Sequence, residues 1–381
     1  MFKTLRYLAF TLIFGLGSIA AAQAAPSSCA KPWPAWEAFK KGFISKEGRV
    51  VDGSSEEMKT TSEGQSYALF FSLVANDRET FDKLLSWTET NLAEGDLTTR
   101  LPAWAWGKND AGNWGVLDDN SASDADLWIA YALGEAGRLW ANRRYVAMSS
   151  LMANRILSAE TREVAKLGLV LLPGTTGFTP TATSVRLNPS YVPLQLMRWF
   201  TAHSKDPRWA SLLNSSRRLI LESSSEGYAP DWTIYDESKG FQPDRADDKS
   251  GIGSYDAIRV YLWAGMLSRD DADRQALLDA LKPMARFVEE RGYPPQSIHT
   301  RTGAAGNPGS SGFSAAMLPL LQAEGMGKAV ESQLLRIEAQ PVTDDSYYDQ
   351  VLSLFALGWH DNLYRFDFNG NLTPRWMFAC K

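Results

Sequence analysis

Six apolar runs recur along the chain, each opened by a serine. They are SEGQSYALFFSLV from Ser62, SDADLWIAYAL from Ser123, SYVPLQLMRWF from Ser190, SYDAIRVYLWAGML from Ser254, SGFSAAMLPLL from Ser311 and SYYDQVLSLFALGW from Ser346. Serine at such a position predicts a helix start, and Ser62–Gln65, Ser123–Asp126 and Ser346–Asp349 carry the spacing of a capping box, loosely in the two Asp cases. Between the runs lie more polar stretches near 35–45, 77–93, 140–158, 206–222, 270–291 and 326–337, whose apolar residues return every three or four positions, as in Phe81, Leu84 and Leu85. A helix apolar all round belongs inside a fold, and one with a single apolar stripe belongs outside. The alternation predicts an all-α fold, an (α/α)6 barrel of six inner helices ringed by six outer ones. An open α-solenoid shares the same periodicity, and the pattern alone leaves ring closure open.

The chain opens on a different pattern. Lys3 and Arg6 precede an apolar run from Tyr7 to about Ala21, and Ala22-Gln23-Ala24 has the small-x-small form of a cleavage site. Residues 1–24 read as a signal peptide and 25–381 as one domain, with no linker or low-complexity tract in it. The apolar run is short for a membrane span. Pro26, three residues before Cys29, argues against lipid attachment there. Signal cleavage predicts export.

Charge and composition then narrow the partners. The formal charge is −5, and loss of Lys3 and Arg6 makes it more negative, which disfavours nucleic acid. With two Cys and three His, a zinc cage is not expected, and no EF-hand spacing suggests calcium, so no metal or cofactor is predicted. Cys29 and Cys380 lie near the two ends; an exported chain could join them in a disulfide or keep two thiols. The 14 Trp residues exceed what packing alone asks of a chain this size, and flat indole faces suit sugar rings.

A closed barrel would gather the inner helix starts on one face. Glu63, Asp124 and Asp256 fall in or beside those first turns. Acids there are favoured by the helix dipole in any helical protein. Here Tyr67, Trp104, Trp106, Trp114, Tyr191, Tyr255 and Tyr347 lie in the same helices or the loops that feed them. Carboxylates among aromatics on one face suit glycoside hydrolysis, in which one acid protonates the leaving oxygen and a second activates water or attacks the sugar.

The segment Ala122-Ser123-Asp124-Ala125-Asp126-Leu127-Trp128-Ile129-Ala130-Tyr131-Ala132-Leu133-Gly134-Glu135-Ala136-Gly137-Arg138-Leu139-Trp140 resembles the signature of glycoside hydrolase family 8. Thr61-Ser62-Glu63-Gly64-Gln65-Ser66-Tyr67 is similar to that family's general-acid segment, and Gly253-Ser254-Tyr255-Asp256-Ala257-Ile258-Arg259 to its general-base segment. The resemblance spans the mature chain and is greatest to the endoglucanases that accompany bacterial cellulose synthase. It implies an (α/α)6 barrel and inverting hydrolysis of β-1,4-glucan in the periplasm. It assigns Glu63 as general acid, Asp256 as general base and Asp124 as the residue that binds and distorts the central sugar. Arg259 would orient a carboxylate, and Trp106, Trp114, Tyr191, Tyr255 and Tyr347 would line the cleft. The cellulose synthase complex is an implied partner. Related readings are activity on xylan, chitosan or mixed-linkage glucan, and a barrel that holds glucan without cutting it. Glu63 and Asp256 would come from the first and fourth inner helices, on opposite sides of a closed ring, which favours a gap wide enough for water.

Overall fold

The computed structural model describes residues 32–244, 250–343 and 345–378. The leader, Cys29 and Cys380 therefore lie outside the described residues. Six helices form an inner ring: α2 (Ser62–Val74), α4 (Ser123–Leu139), α6 (Leu194–His203), α8 (Ile258–Gly265), α10 (Ser311–Ala323) and α12 (Tyr347–His360). Six others lie outside them: α1 (Pro34–Phe43), α3 (Arg78–Leu92), α5 (Arg143–Ala159), α7 (Arg208–Ser223), α9 (Arg274–Arg291) and α11 (Gly327–Ala339). The ring is closed. Phe71 of α2 meets Phe355 of α12 with ring centroids 4.6 Å apart, and Phe355 also contacts Trp128 of α4 and Trp263 of α8. Aromatic rings thus fill the axis from several helices at once. An open solenoid would leave the first and last inner helices apart.

Burial follows the hydrophobic pattern. Every residue of α2 except Glu63 is buried, whereas α3 buries one face made by Phe81, Leu84, Leu85, Trp87, Thr88 and Leu92.

Two inner helices begin later than the serine pattern predicts. Pro189–Tyr191 is a 3-10 turn, and α6 starts only at Leu194, because Pro193 keeps Val192 out of the helical region. Ser254 likewise lies in a turn, with α8 starting at Ile258. The capping boxes are not formed. Thr61, not Ser62, caps α2 by accepting from the Gly64 N–H at 3.0 Å, and Ser310, not Ser311, caps α10. Gln65 instead reaches outward. It accepts from Val50 N–H (2.6 Å) and donates to the carbonyls of Gly48 and Leu84 and to Thr88 Oγ1 (2.9 Å), fastening α2 to α3 and the preceding loop. Ala122 precedes α4 without a side-chain cap, and the Ser346 hydroxyl goes to Asp349 rather than to backbone.

The connections differ sharply between the two ends of the barrel. Inner-to-outer links are short: 75–77, 140–142, 204–207, 266–273 and 324–326. Links that lead into the inner helices, except 340–346, are longer, and they carry most of the short strands. Thr60–Thr61 (β1), Ala105–Lys108 (β2) and Trp114–Asp118 (β3) form one antiparallel sheet; Thr161–Val164 (β4) and Gly168–Leu171 (β5) pair as a hairpin; Ser184–Leu187 (β6), Thr233–Asp236 (β7) and Gly240–Pro243 (β8) form another antiparallel sheet. These hairpins build walls around the face where the inner helices begin. At the other end, Tyr364–Phe366 and Leu372–Pro374 pair as a hairpin that covers the barrel floor, held by Tyr131 Oη on Gly370 O (2.8 Å) and Glu135 on Leu372 N–H (2.7 Å).

Candidate active site

Glu63 opens α2 at the walled face. Its side chain is 22% exposed, while its neighbours in the helix face inward. Gly64 follows because nothing larger fits: a Cβ there would lie 2.6 Å from the Tyr347 hydroxyl. Asp124 opens α4 and is almost fully buried, with Oδ1 accepting the Ala125 N–H at 2.8 Å. Burial first, then the Glu63 charge, push its carboxyl well above the usual range, against the pull of Arg259. Directly behind it, Asp126 is buried beside Glu160, which also takes the Ser121 hydroxyl. Burial lifts Glu160 to about 7 and Asp126 well above its ordinary value, so this pair holds on to protons that free carboxyls release.

Asp256 sits in the turn before α8, not inside the helix. The turn is shaped by Asp231, which comes from the loop before β7. Asp231 Oδ1 accepts the N–H groups of Ser254 (2.7 Å), Asp256 (3.1 Å) and Ala257 (2.8 Å), and Oδ2 takes the Ser254 hydroxyl. Burial raises the Asp256 carboxyl to about 6; Arg259 opposes this, and the Asp231 and Glu63 charges add to it.

Arg259 joins the three acids. Its guanidinium is 3% exposed. Nη1 donates to Glu63 Oε2 and to Tyr67 Oη (3.0 Å) and lies 3.5 Å from Asp124 Oδ2. Nη2 donates to Asp256 Oδ1 (2.7 Å) and Ser190 Oγ (3.1 Å). A buried guanidinium is tolerated only when its fork is met by charge, and here carboxylates from three inner-helix starts meet it. Because Glu63 and Asp256 rest on two nitrogens of one fork, those oxygens stand within about 7 Å of each other. The positive charge among these carboxylates is therefore the protein's own.

Aromatic rings border the group unevenly. Trp106 and Trp114 stack across β2 and β3 (5.4 Å, 17°), with Arg49 against both rings and Trp87 edge-on to Trp106. Trp106 is thus backed on several sides, and the outer ring, Trp114, is 51% exposed. On the far wall Tyr191 leans on Trp232, which stacks on Phe178. Tyr255 is 50% exposed beside Asp256 and packs on Phe313 and Tyr348. Tyr347 differs from the expectation. It is buried against Phe39 and Phe43, so its ring is core and presents no face to a sugar. Its neighbour Tyr348 reaches the site instead, donating its hydroxyl to the Tyr255 carbonyl.

The pattern described as Glycosyl hydrolases family 8 matches residues 12–362. The chain belongs to that family. An endoglucanase of Escherichia coli O157:H7 is 48% identical over 91% of this chain and 92% of its own length; one of Xanthomonas axonopodis pv. citri is 46% identical over 94% and 92%. The crystal structure of an endo-1,4-D-glucanase from Vibrio fischeri ES114 superposes with a TM-score of 0.84, at 48% identity, over 91% of this chain and 99% of that one. The protein is a glycoside hydrolase, and its relatives at this identity are endoglucanases.

Within this family 8 barrel, the sequence brought Glu63, Asp124, Asp256 and Arg259 to notice, and all four converge. It missed Asp231, whose partners lie 23 to 26 residues downstream. No local pattern marks such a residue. Trp232 and Phe178 escaped for the same reason: they lie on two separate loops, brought together only through the β6–β8 sheet.

Proposed function

We propose that the protein is an endo-β-1,4-glucanase that cleaves cellulose-type chains with inversion in the periplasm, acting alongside bacterial cellulose synthesis. The observation that carries this reading is the guanidinium of Arg259 holding Glu63, Asp124 and Asp256 together beneath an aromatic-walled mouth. Glu63 acts as the general acid, donating a proton to the glycosidic oxygen. Asp256, with a carboxyl near 6, is largely ionised at neutral pH and acts as the base that takes a proton from water. The bond between the anomeric carbon and the leaving oxygen breaks as water attacks from the opposite side. Asp124, whose carboxyl burial pushes up, binds the central sugar and helps to distort it. Trp114, Tyr191 and Tyr255 contact neighbouring sugar units, with Trp106 supporting Trp114.

The test is hydrolysis of carboxymethylcellulose, followed by viscosity and by reducing ends together. An endo-acting enzyme lowers viscosity early, before many reducing ends appear. Absence of new reducing ends would make the barrel a glucan holder. Loss of activity in EDTA would point to a metal-dependent reaction.

A further inference from the structure

The end of the barrel opposite the catalytic mouth has a cavity of its own. It lies where α8, α10 and α12 finish, and α10 and α12, of 13 and 14 residues, put roughly 20 Å between the two faces. Its volume is about 440 Å³, the size of a small-molecule site. Arg269, Arg274 and Arg365 all line it.

These arginines are not spent on acids. Among the described residues none of the three has a carboxylate oxygen within 4.0 Å, and the nearby acids are committed elsewhere, Asp271 to Arg198 and Glu324 to Lys282. Helix C-termini attract cations, and that accounts for part of the arrangement. Arg274 donates Nη1 to the Leu267 carbonyl (3.2 Å), and Arg365 lies over Trp359 and donates to the Trp359 and Tyr364 carbonyls and to Asn362. It does not account for the rest. Each guanidinium has five donors. Among the described residues Arg269 gives none of its side-chain donors to a protein acceptor, and Arg274 gives one. The charges also oppose one another: burial and then Arg269 depress Arg274, against the pull of Glu324 and Asp271, and Arg269 likewise acts against the half-buried Arg365. Three guanidinium groups around one cavity repel one another, and an anion between them would relieve that repulsion.

We propose that this cavity is a binding site for a compact oxyanion of the phosphate class, gripped by Arg269, Arg274 and Arg365. Bidentate forks suit tetrahedral oxyanions. The volume exceeds that of a bare phosphate, so a phosphorylated small molecule fits, its polar body beside Gln322, which pairs with His360, and Asn362, which pairs with Arg365. The site is separate from the carboxylate cluster and does not depend on how the proposed hydrolysis is carried out.

The experiment is calorimetric titration of the full mature chain with inorganic phosphate and, separately, with glucose 6-phosphate, at low salt. Saturable binding is expected for at least one, weakening as salt is raised. Arg269→Ala should weaken it at least fivefold; among the described residues this exposed side chain makes no protein hydrogen bond, so the variant keeps its fold. Arg274→Ala should do the same, with melting temperature recorded alongside. Tighter binding of glucose 6-phosphate marks a phosphorylated metabolite as the ligand, and equal binding marks phosphate itself. Activity on an uncharged cello-oligosaccharide should be unchanged in Arg269→Ala. No saturable binding of either probe, or binding that both variants leave intact, overturns the proposal.

Discussion

Asp231 holds the turn that carries Asp256 through the Ser254, Asp256 and Ala257 N–H groups, and its charge is also felt by the Asp256 carboxyl. Shape and charge can be separated by substitution. Asp231→Asn keeps an oxygen for the three N–H groups and removes the charge. One cause that raises Asp256 disappears, so its pKa should fall, and the acid limb of kcat/KM should move to lower pH by several tenths of a unit. Asp231→Ala should lower kcat by tenfold or more with KM little changed. An acid limb that stays in place in Asp231→Asn would leave the residue a purely structural tie.

Glu63→Gln tests the acid. The amide keeps the size of the side chain and can still accept from Arg259, so the fold should hold. Removal of a positioned acid costs about 10²–10⁴ in rate. Turnover of an unactivated cello-oligosaccharide should fall within or beyond that range while melting temperature changes little. A variant that keeps a tenth of wild-type activity would remove Glu63 from the chemistry.

How much of this was legible in the sequence depends on the distance over which each feature is decided. The inner and outer helices follow from local periodicity, and the outer runs near 77–93 and 326–337 coincide with Arg78–Leu92 and Gly327–Ala339 within two residues. Helix starts at Ser190 and Ser254 were misplaced because Pro193 and Asp231, not the serines, decide where α6 and α8 begin. Glu63, Asp124 and Asp256 were legible through family resemblance. That Arg259 touches all three acids was not, since the contacts to Glu63 and Asp124 join residues more than a hundred positions apart. Tyr347 and Tyr348 are adjacent on α12, and only packing against Phe39 and Phe43 reveals which one is core.

Arg259→Met should expose the cost of the bridge. Removing one partner of a buried ion pair typically destabilises by about 3–5 kcal/mol, because the remaining charges are left uncompensated. The loss should be pH-dependent. Without the guanidinium, Asp124 and Asp256 would hold protons in the folded state that the unfolded chain releases, so the variant should regain stability as pH falls from 7 toward 5. Thermal melts across that range decide it. A deficit that is constant with pH would mean the arginine stabilises by packing.

Trp114 and Tyr347 should behave in opposite ways. Trp114→Ala removes a half-exposed ring from the cleft wall, and KM on long glucan should rise several-fold with melting temperature nearly unchanged. Tyr347→Ala empties a core site and should destabilise the protein by about 3–5 kcal/mol, the range for large aromatic deletions. Denaturation midpoints and Michaelis kinetics on the same preparations separate the two. A stable Tyr347→Ala variant with a raised KM would return that ring to the list of sugar contacts.

The stereochemical outcome tests the assignment of acid and base together. Glu63 begins the first inner helix and Asp256 precedes the fourth, so they approach from opposite sides of the closed ring. Arg259 bridges the remaining space, with one nitrogen of its fork on each carboxyl. Inverting enzymes hold their carboxyls ~6.5–9.5 Å apart to admit water, and retaining enzymes ~5–5.5 Å for direct attack. A retaining route would need the second oxygen of Asp256 to bond to the anomeric carbon, whereas the inverting route asks Asp256 only to take a proton from water, with its first oxygen held at 2.7 Å by Arg259 Nη2 in either case. The fresh product from a β-linked cello-oligosaccharide should therefore be the α-anomer, read by proton NMR before mutarotation. A β-anomer would require a covalent intermediate, and Asp256 would then be a nucleophile rather than a base.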